Sequence, residues 1–429
     1  MDFALDDTTQ RLLSALDDFM QEKVYPAEPV LEAQLAEHPD SWSPPPIVEE
    51  LKAEAKRRGL WNLVPLDQRG GSAAALTNLQ YAPLCELMGR SPKLAPAATN
   101  CAAPDTGNME LLRAYGTDDQ RREWLEPLLD GRIRSSFCMT EPDVASSDAT
   151  NIQTSIRRES DSGRRDVRDG RDGRDRRNGS DGSGDHYVIN GRKWWSTGAM
   201  NPGAALFIVM GKTDPDSERH RQQSMVLVPR DTEGVTVVRP LTVFGYSDRD
   251  HGGHAEVLFE NVRVPVANVL GGEGEGFAMA QARLGPGRIH HCMRAIGMAE
   301  RALDLGRARA NERVAFGKPM AEQGVIREWF AEARMEIEAN RLLVLKTAWL
   351  MDTVGNRAAH SEIQAIKISV PRMLEKIVDR MIQVFGAAGV SQDSPLAEFA
   401  AGARTLRLAD GPDEVHLNAL GRAELKKRD

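Results

Sequence analysis

Cysteine is scarce in this 429-residue chain: Cys85, Cys101, Cys138 and Cys292 stand far apart, with no C-x-x-C pair and no nearby histidine pair of the kind a zinc site needs. That arrangement excludes a zinc site of the usual spacing and predicts buried, reduced thiols. Long apolar runs are missing too. The longest, Ala204 to Met210, falls far short of the ~20 residues that a membrane span requires, so no integral membrane segment is expected. The opening residues, MDFALDDTTQ, lack a basic stretch followed by an apolar one and are acidic where a transit peptide is acid-poor, so a cytoplasmic location is expected. Positive charge is not in excess: 55 Lys+Arg face 63 Asp+Glu, for a net charge of −8, which argues against the basic footprint of a nucleic-acid binder. No G-x-x-x-x-G-K-[ST] occurs, and GGEGEG at 271–276 does not fit G-x-G-x-x-G within a strand–turn–helix unit, so it reads as a flexible connection. HGGH at 251–254 and the pair His290-His291 lack helical i,i+4 spacing with a carboxylate, and no metal is expected.

What remains is ordinary globular composition, 41% hydrophobic and 28% charged, in a chain long enough for two or three domains. Residues 1–132 show apolar positions at three- and four-residue steps, as in Leu12, Leu13, Leu16, Phe19 and Met20, with Pro26 expected to end the first helix and Gly59 to cap a later one. Thr117, Asp118 and Asp119 offer N-cap oxygens for the helix that holds Trp124. From about Ile133 the pattern changes to short β-branched and aromatic runs separated by Gly, Asn, Asp and Pro, which predicts an antiparallel β-domain over 133–265. Residues 266–429 return to long amphipathic helices, with Pro286 and Pro371 expected to kink or reset them. The fold class is therefore α+β, ordered helical, β, helical, with the last part similar to a four-helix bundle.

One stretch departs from this composition. Residues 157–185 hold nine Arg and eight acidic residues with almost no apolar side chains. Too little surface is available there to offset ordering entropy, so a mobile insertion between two strands is expected, and its charges nearly cancel.

Four segments taken together carry the functional reading. They are FCMTEPDVASSDATNI at 137–152, YVINGRKWWSTGA at 187–199, RVAFGKPMAEQ at 313–323, and QVFGAAGV at 383–390 followed by ADGPDEVH at 409–416. In this order and spacing the whole chain resembles the acyl-CoA dehydrogenase family, flavoenzymes that hold FAD between a β-domain and helical domains. TEPDVASSD and ADGPDEVH look closest to a subgroup known in some eukaryotes as the dehydrogenase part of fusions with kinase-like domains, whose members favour long or unusual acyl chains.

The resemblance implies FAD as cofactor and assigns Phe137, Met139, Thr140, Ser146, Ser147, Trp195, Ser196 and Thr197 as flavin contacts. Hydroxyls suit the polar edge of an isoalloxazine, and an indole suits its apolar face. A pyrophosphate needs an Arg and close-approaching backbone. By matching position Arg313, Phe316, Gln323, Gln383, Gly386 and Gly389 supply these to the cofactor of a neighbouring subunit, which implies a homo-oligomer, either a dimer or a tetramer built as a dimer of dimers. Pro412 and Glu414 match further cofactor positions.

Oxidising an acyl thioester between its α and β carbons requires a base for the α-proton while a hydride leaves the β-carbon for flavin N5. In the family this base is usually a Glu in a loop between two late helices; here Asp410 takes that position, one methylene shorter, so the base or the substrate must sit roughly 1.5 Å closer. Asp413 and Glu414 are neighbouring carboxylates without that role. The alternative location for the base carries Gly287, which cannot take a proton. Ser147, Gly285, Pro286, Gly287, Arg288 and Gly411 match substrate positions. The implied activity is dehydrogenation of an acyl-CoA to the trans-2-enoyl-CoA, as in fatty-acid β-oxidation, with electrons passed to an electron-transfer flavoprotein. An oxidase on the same fold, resembling nitroalkane oxidases or acyl-CoA oxidases, and a non-catalytic acyl-CoA-binding protein are the alternatives.

Overall fold

The computed structural model describes residues 3–65, 76–160 and 184–426. Its first part is helical. Helix α1 (Asp7–Phe19) starts at Asp6, whose carboxylate accepts the N–H groups of Thr8 and Thr9, and runs through a wide turn at Met20–Val24 into α2 (Tyr25–Glu37). Pro26 therefore does not end the helix. It sits just after the wide turn, which carries the helix on into α2, and Pro29 follows within the same helix. Helix α3 (Pro46–Arg57) closes at Gly59, which adopts φ +71° while Leu60 N–H donates to Ala55 C=O at 2.8 Å and Gly59 N–H to Lys56 C=O at 3.1 Å. Helix α4 (Asn78–Gly89) opens with a reciprocal cap between Thr77 and Gln80. Short helices α5 (Ala95–Ala98), α6 (Asp105–Tyr115), α7 (Asp118–Gln120) and α8 (Glu126–Leu129) complete this part, with Thr117 and Gln120 forming the same cap on α7.

Eight strands then form one sheet: β1 (Arg134–Cys138), β2 (Ser155–Glu159), β3 (His186–Thr197), β4 (Ala204–Lys212), β5 (Gln223–Pro229), β6 (Val235–Leu241), β7 (His254–Pro265) and β8 (Val269–Leu270). Their order is β6-β7-β3-β2-β4-β5-β8, with β1 beside β4. Neighbours are antiparallel except that β1 runs parallel to β4 and Ser155 of β2 meets Lys212 in parallel register. Side-chain alternation reports which face is buried, not strand direction, so the parallel pair was invisible in the sequence. Two boundaries also move. Val269–Leu270 pair with Met225–Val226, so the sheet continues past residue 265. Arg157–Glu159 are strand residues paired with His186–Val188 rather than part of an insertion, and the remainder of the charged stretch, 161–183, lies outside the described residues.

The apolar run in β4 is explained by burial on both faces. Leu206, Ile208 and Met210 join the core shared with the helices, while Phe207 and Val209 join a second core beneath the other face.

The last part holds α9 (Gly276–Glu312), α10 (Gly324–Val354), α11 (His360–Phe385), α12 (Leu396–Leu406) and α13 (Asp413–Leu425). A two-residue hairpin, β9 (Val314–Ala315) and β10 (Lys318–Pro319), follows α9. Neither Pro286 nor Pro371 resets its helix: α9 and α11 run continuously through them. Helix α9 crosses α4 backbone against backbone. A Cβ at Gly297 would lie 1.8 Å from Glu86 C=O, and one at Gly89 would lie 2.1 Å from Arg294 C=O, so only glycine permits this approach. The crossing fixes the helix that carries much of the site described next.

Candidate active site

Asp410 lies in the turn between α12 and α13, in left-handed conformation (φ +55°), followed by Gly411 at φ +103°. This turn aims the carboxylate at α9. Its Oδ2 is 3.4 Å from Nε2 of His291 and would be 3.6 Å from a Cβ at Gly287. Arg288 holds the turn by donating from Nε to the Asp410 backbone carbonyl at 3.0 Å. The shorter Asp side chain therefore reaches α9 directly, and the absent side chain of Gly287 leaves the space in front of it open. Burial would favour the neutral acid, but His291 and the cations Arg283, Lys367 and Arg288 outweigh it and hold the carboxyl below the ordinary Asp range.

Gly411 packs against the ring of His416, whose Nε2 would be 3.0 Å from a Cβ there, and His416 Nδ1 pairs with Gln364 Oε1. Burial, Arg288 and Lys367 push His416 down to about 4, so its ring is neutral at pH 7. Asp413 is no rival base: its Oδ2 accepts from Nε of both Arg372 and Arg407 at 2.9 Å. Pro412 caps α13 with its carbonyl, which accepts from Val415 N–H at 3.0 Å, and Glu414 is exposed in the first turn.

The second cluster is the edge made by β1, the loop after it and the end of β3. Glu141 anchors it. Buried, it pairs with the fully buried Lys193 at 2.8 Å and accepts Gln153 N–H at 2.7 Å, Thr154 N–H at 2.9 Å and Thr154 Oγ1 at 2.5 Å. Lys193 also donates to Met139 C=O at 2.9 Å, and Trp194 N–H donates to Thr140 C=O at 3.0 Å, so the Met139–Thr140 backbone is pinned to β3. A register shift between Lys193 and Ser196 then turns Trp195 to φ +51°, leaving its indole 38% exposed beside the His254 ring at 5.4 Å. An exposed bulky residue in left-handed conformation is uncommon. Thr197 Oγ1 lies 3.0 Å from His254 Nδ1, and His254 Nε2 lies 2.8 Å from Asp248 Oδ2. Ser196 is fully buried. Ser146 is exposed at φ +57°, and the Ser147 side chain lies outside what is described.

Arg283 joins the two clusters. Its guanidinium stands 4.1 Å from the centre of the Phe137 ring, its Nε donates to Asn108 Oδ1 at 3.3 Å, and its charge acts on Asp410. The indole plane, pinned backbone and hydroxyls on one side fit an isoalloxazine.

The third cluster also forms within this chain. Arg313 Nη1 donates to Val384 C=O at 2.9 Å, and a Cβ at Gly386 would meet that nitrogen at 2.8 Å. Gly386 (φ +67°) thus makes room for a guanidinium on the turn Gly386–Gly389, which fits a diphosphate. Gln383 is exposed one turn earlier, and Gln323 precedes α10. Phe316 (φ +53°) and Gly317 (φ +82°) form the left-handed hairpin tip, with Phe316 fully exposed.

The sequence reading missed Arg283, His291, Lys367, Glu141 and Lys193. Helical spacing offered a signal for two of them, since 283, 287 and 291 stand four apart on one stripe of α9. Lys367, whose Nζ donates to Leu406 C=O, had only its position within an apolar helix. Among the described residues no group of three or more His, Cys, Asp or Glu could hold a metal, and no helix is long and apolar enough to cross a membrane.

Three family models match consecutive parts of the chain: the acyl-CoA dehydrogenase N-terminal domain at 6–132, middle domain at 172–262 and C-terminal domain at 274–425. FadE2 of Mycobacterium tuberculosis, named a probable acyl-CoA dehydrogenase, is 53% identical over 428 residues, covering 100% of this chain and 98% of its own. Human acyl-CoA dehydrogenase family member 11 is 49% identical over 422 residues, covering 97% of this chain, which spans about half (50%) of that longer protein. Among solved structures, butyryl-CoA dehydrogenase from Megasphaera elsdenii superposes with a TM-score of 0.79 at 25% identity, over 99% of this chain and 100% of its own.

Proposed function

The chain belongs to the acyl-CoA dehydrogenase family, and we propose that it oxidises an acyl-CoA thioester at its α and β carbons with Asp410 as the base. As a member it is an oxidoreductase acting on acyl-CoA with FAD as cofactor, and bound FAD supplies the two-electron acceptor. The observation that carries the proposal is the Asp410 carboxylate aimed across the open face of Gly287.

The chain's own residues would act as follows. Asp410 is ionised at neutral pH because the His291 contact and the cations Arg283, Lys367 and Arg288 offset its burial, so it is ready to accept the α-proton. Arg288 fixes the backbone of the base from below through its carbonyl. Gly287 faces the carboxylate from α9, and Gly285, Pro286, Arg288 and Gly411, with Ser147 from the β-domain, would contact the acyl-CoA. Phe137, Met139, Thr140, Ser146, Ser147, Trp195, Ser196 and Thr197 would hold the flavin, with Pro412 and Glu414 beside the base loop. Arg313, Phe316, Gln323, Gln383, Gly386 and Gly389 would hold the pyrophosphate end of a partner's cofactor, which makes a dimer or tetramer the working form. An electron-transfer flavoprotein is the proposed acceptor, β-oxidation the proposed setting and the cytoplasm the proposed location; these three rest on family resemblance and sequence.

The test is anaerobic. Acyl-CoA should bleach the flavin of the purified protein, and Asp410→Asn should keep its FAD while losing bleaching by about 10²–10⁴-fold, the usual contribution of a general base. An unchanged reduction rate in that variant would refute the assignment, and bleaching by a nitroalkane but by no acyl-CoA would replace it with an oxidase.

A further inference from the structure

We propose that His291 is a positioning residue for the Asp410 carboxylate, a neutral ring whose Nε2–H is locked toward Oδ2 by Arg294. This deepens the reading of Asp410 as the base and rests on it.

The argument is one of donors and acceptors. Nη2 of Arg294 lies 3.2 Å from His291 Nδ1. A guanidinium has only donors, so Nδ1 must carry the lone pair and the ring proton must sit on Nε2. That nitrogen is the one 3.4 Å from Asp410 Oδ2. Arg294 is itself held from the N-terminal helical part, donating from Nη1 to Cys101 C=O at 3.5 Å and standing 3.9 Å from Cys85 Sγ. The backbone of Arg294 is in turn clamped by the Gly89 contact with α4. A rigid path therefore runs from α4 through Arg294 and His291 to the base.

The cations facing Asp410 are engaged elsewhere. Arg288 donates to the Asp410 backbone carbonyl, Lys367 to Leu406 C=O and Arg283 to Asn108. They attract the carboxylate through space, whereas His291 Nε2 stands 3.4 Å from its Oδ2. Arg294, Lys367 and Arg283 also face the His291 ring; with burial they push it down to about 4, so it stays neutral while the base works. The 3.4 Å separation is longer than a full hydrogen bond and would shorten when substrate excludes water. With Oδ2 held, Oδ1 is left to meet the α-proton, which gives a short Asp side chain a fixed rotamer.

The test compares His291→Leu, which removes the donor, with His291→Gln, whose amide Nε2–H replaces it, in the FAD-loaded enzyme. A saturated straight-chain acyl-CoA that reduces the wild type serves as probe. Two rates are read across pH: anaerobic flavin reduction, and exchange of the probe's α-hydrogens with D2O by mass spectrometry. Loss of a donor to a carboxylate raises its pKa, so the acid limb for His291→Leu should move up by about one pH unit with roughly tenfold slower exchange, and Gln should restore both to within about threefold. If Leu and wild type share one limb and one exchange rate, or if Gln falls as far as Leu, the inference is overturned. Asp410→Asn separates the layers: full exchange and reduction in that variant would remove the base assignment itself, whereas a dead Asp410→Asn beside a wild-type-like His291→Leu removes only the role of His291.

Discussion

Lys193→Met is the perturbation that most directly tests how the flavin edge is held. Lys193 is fully buried, and its ammonium has two partners, the Glu141 carboxylate at 2.8 Å and Met139 C=O at 2.9 Å. Methionine fills much of the same volume but leaves Glu141 as a buried carboxylate without a counter-ion. Removing one member of a buried pair costs about 3–5 kcal/mol. Glu141 keeps three donors, from Gln153 and Thr154, so the lower end of that range is expected. If the sheet unfolds as a unit of about 150–250 residues, this lowers Tm by roughly 6–12 °C. Urea unfolding followed by tryptophan fluorescence reads it, because Trp194 and Trp195 adjoin the substitution. FAD occupancy should fall in parallel, since the Met139 carbonyl loses its tether to β3. Adding Glu141→Gln should recover part of the loss by removing the stranded charge. A Lys193→Met protein within about 1 kcal/mol of wild type and with full FAD would refute the reasoning.

Three further outcomes are expected. Burial and Arg294 hold His290 down to about 3, against an unfolded value near 6.5, so the unfolded state binds the extra proton first; its contribution is present above pH ~6.5 and is lost as pH falls, and His290→Phe should flatten the urea midpoint between pH 6.5 and 4 without abolishing the slope, because His291 and His416 shift the same way. Gly297→Ala places a Cβ 1.8 Å from Glu86 C=O and should destabilise the α4–α9 crossing by about 1–3 kcal/mol in denaturant unfolding while slowing flavin reduction, since α9 carries Gly287 and His291. Gly386→Ala meets the Arg313 guanidinium at 2.8 Å and forces alanine to φ +67°; FAD retention during gel filtration should drop with little change in the acid limb of reduction, and unaltered retention would count against the pyrophosphate role.

Local signals were legible wherever neighbours in sequence make the structure. The Thr77/Gln80 and Thr117/Gln120 caps and the Gly59 terminator follow from side chains within a few residues of each other. Proline was misread as a stop because its effect depends on surroundings: Pro26 closely follows the wide turn Met20–Val24 that carries the chain on, while Pro286 and Pro371 lie in packed helices that continue past them. The Asp410 site was half legible. The turn that holds Asp410 and the glycine that faces it could be named from motifs, but the groups that set its charge come from α9 and α11 and are more than forty residues away.

The sequence by itself determined the periodicities, the order of helical, β and helical parts, the turn residues and the carboxylate at Asp410, because each depends on a residue's type and its near neighbours. Tertiary structure alone decided the parallel β1–β4 pair, the Glu141–Lys193 tether beneath the Trp195 bulge, and the Arg294–His291–Asp410 contact. Those are made between segments brought together by burial, and charges and hydrogen bonds act through space over a few ångströms with no record of distance along the chain.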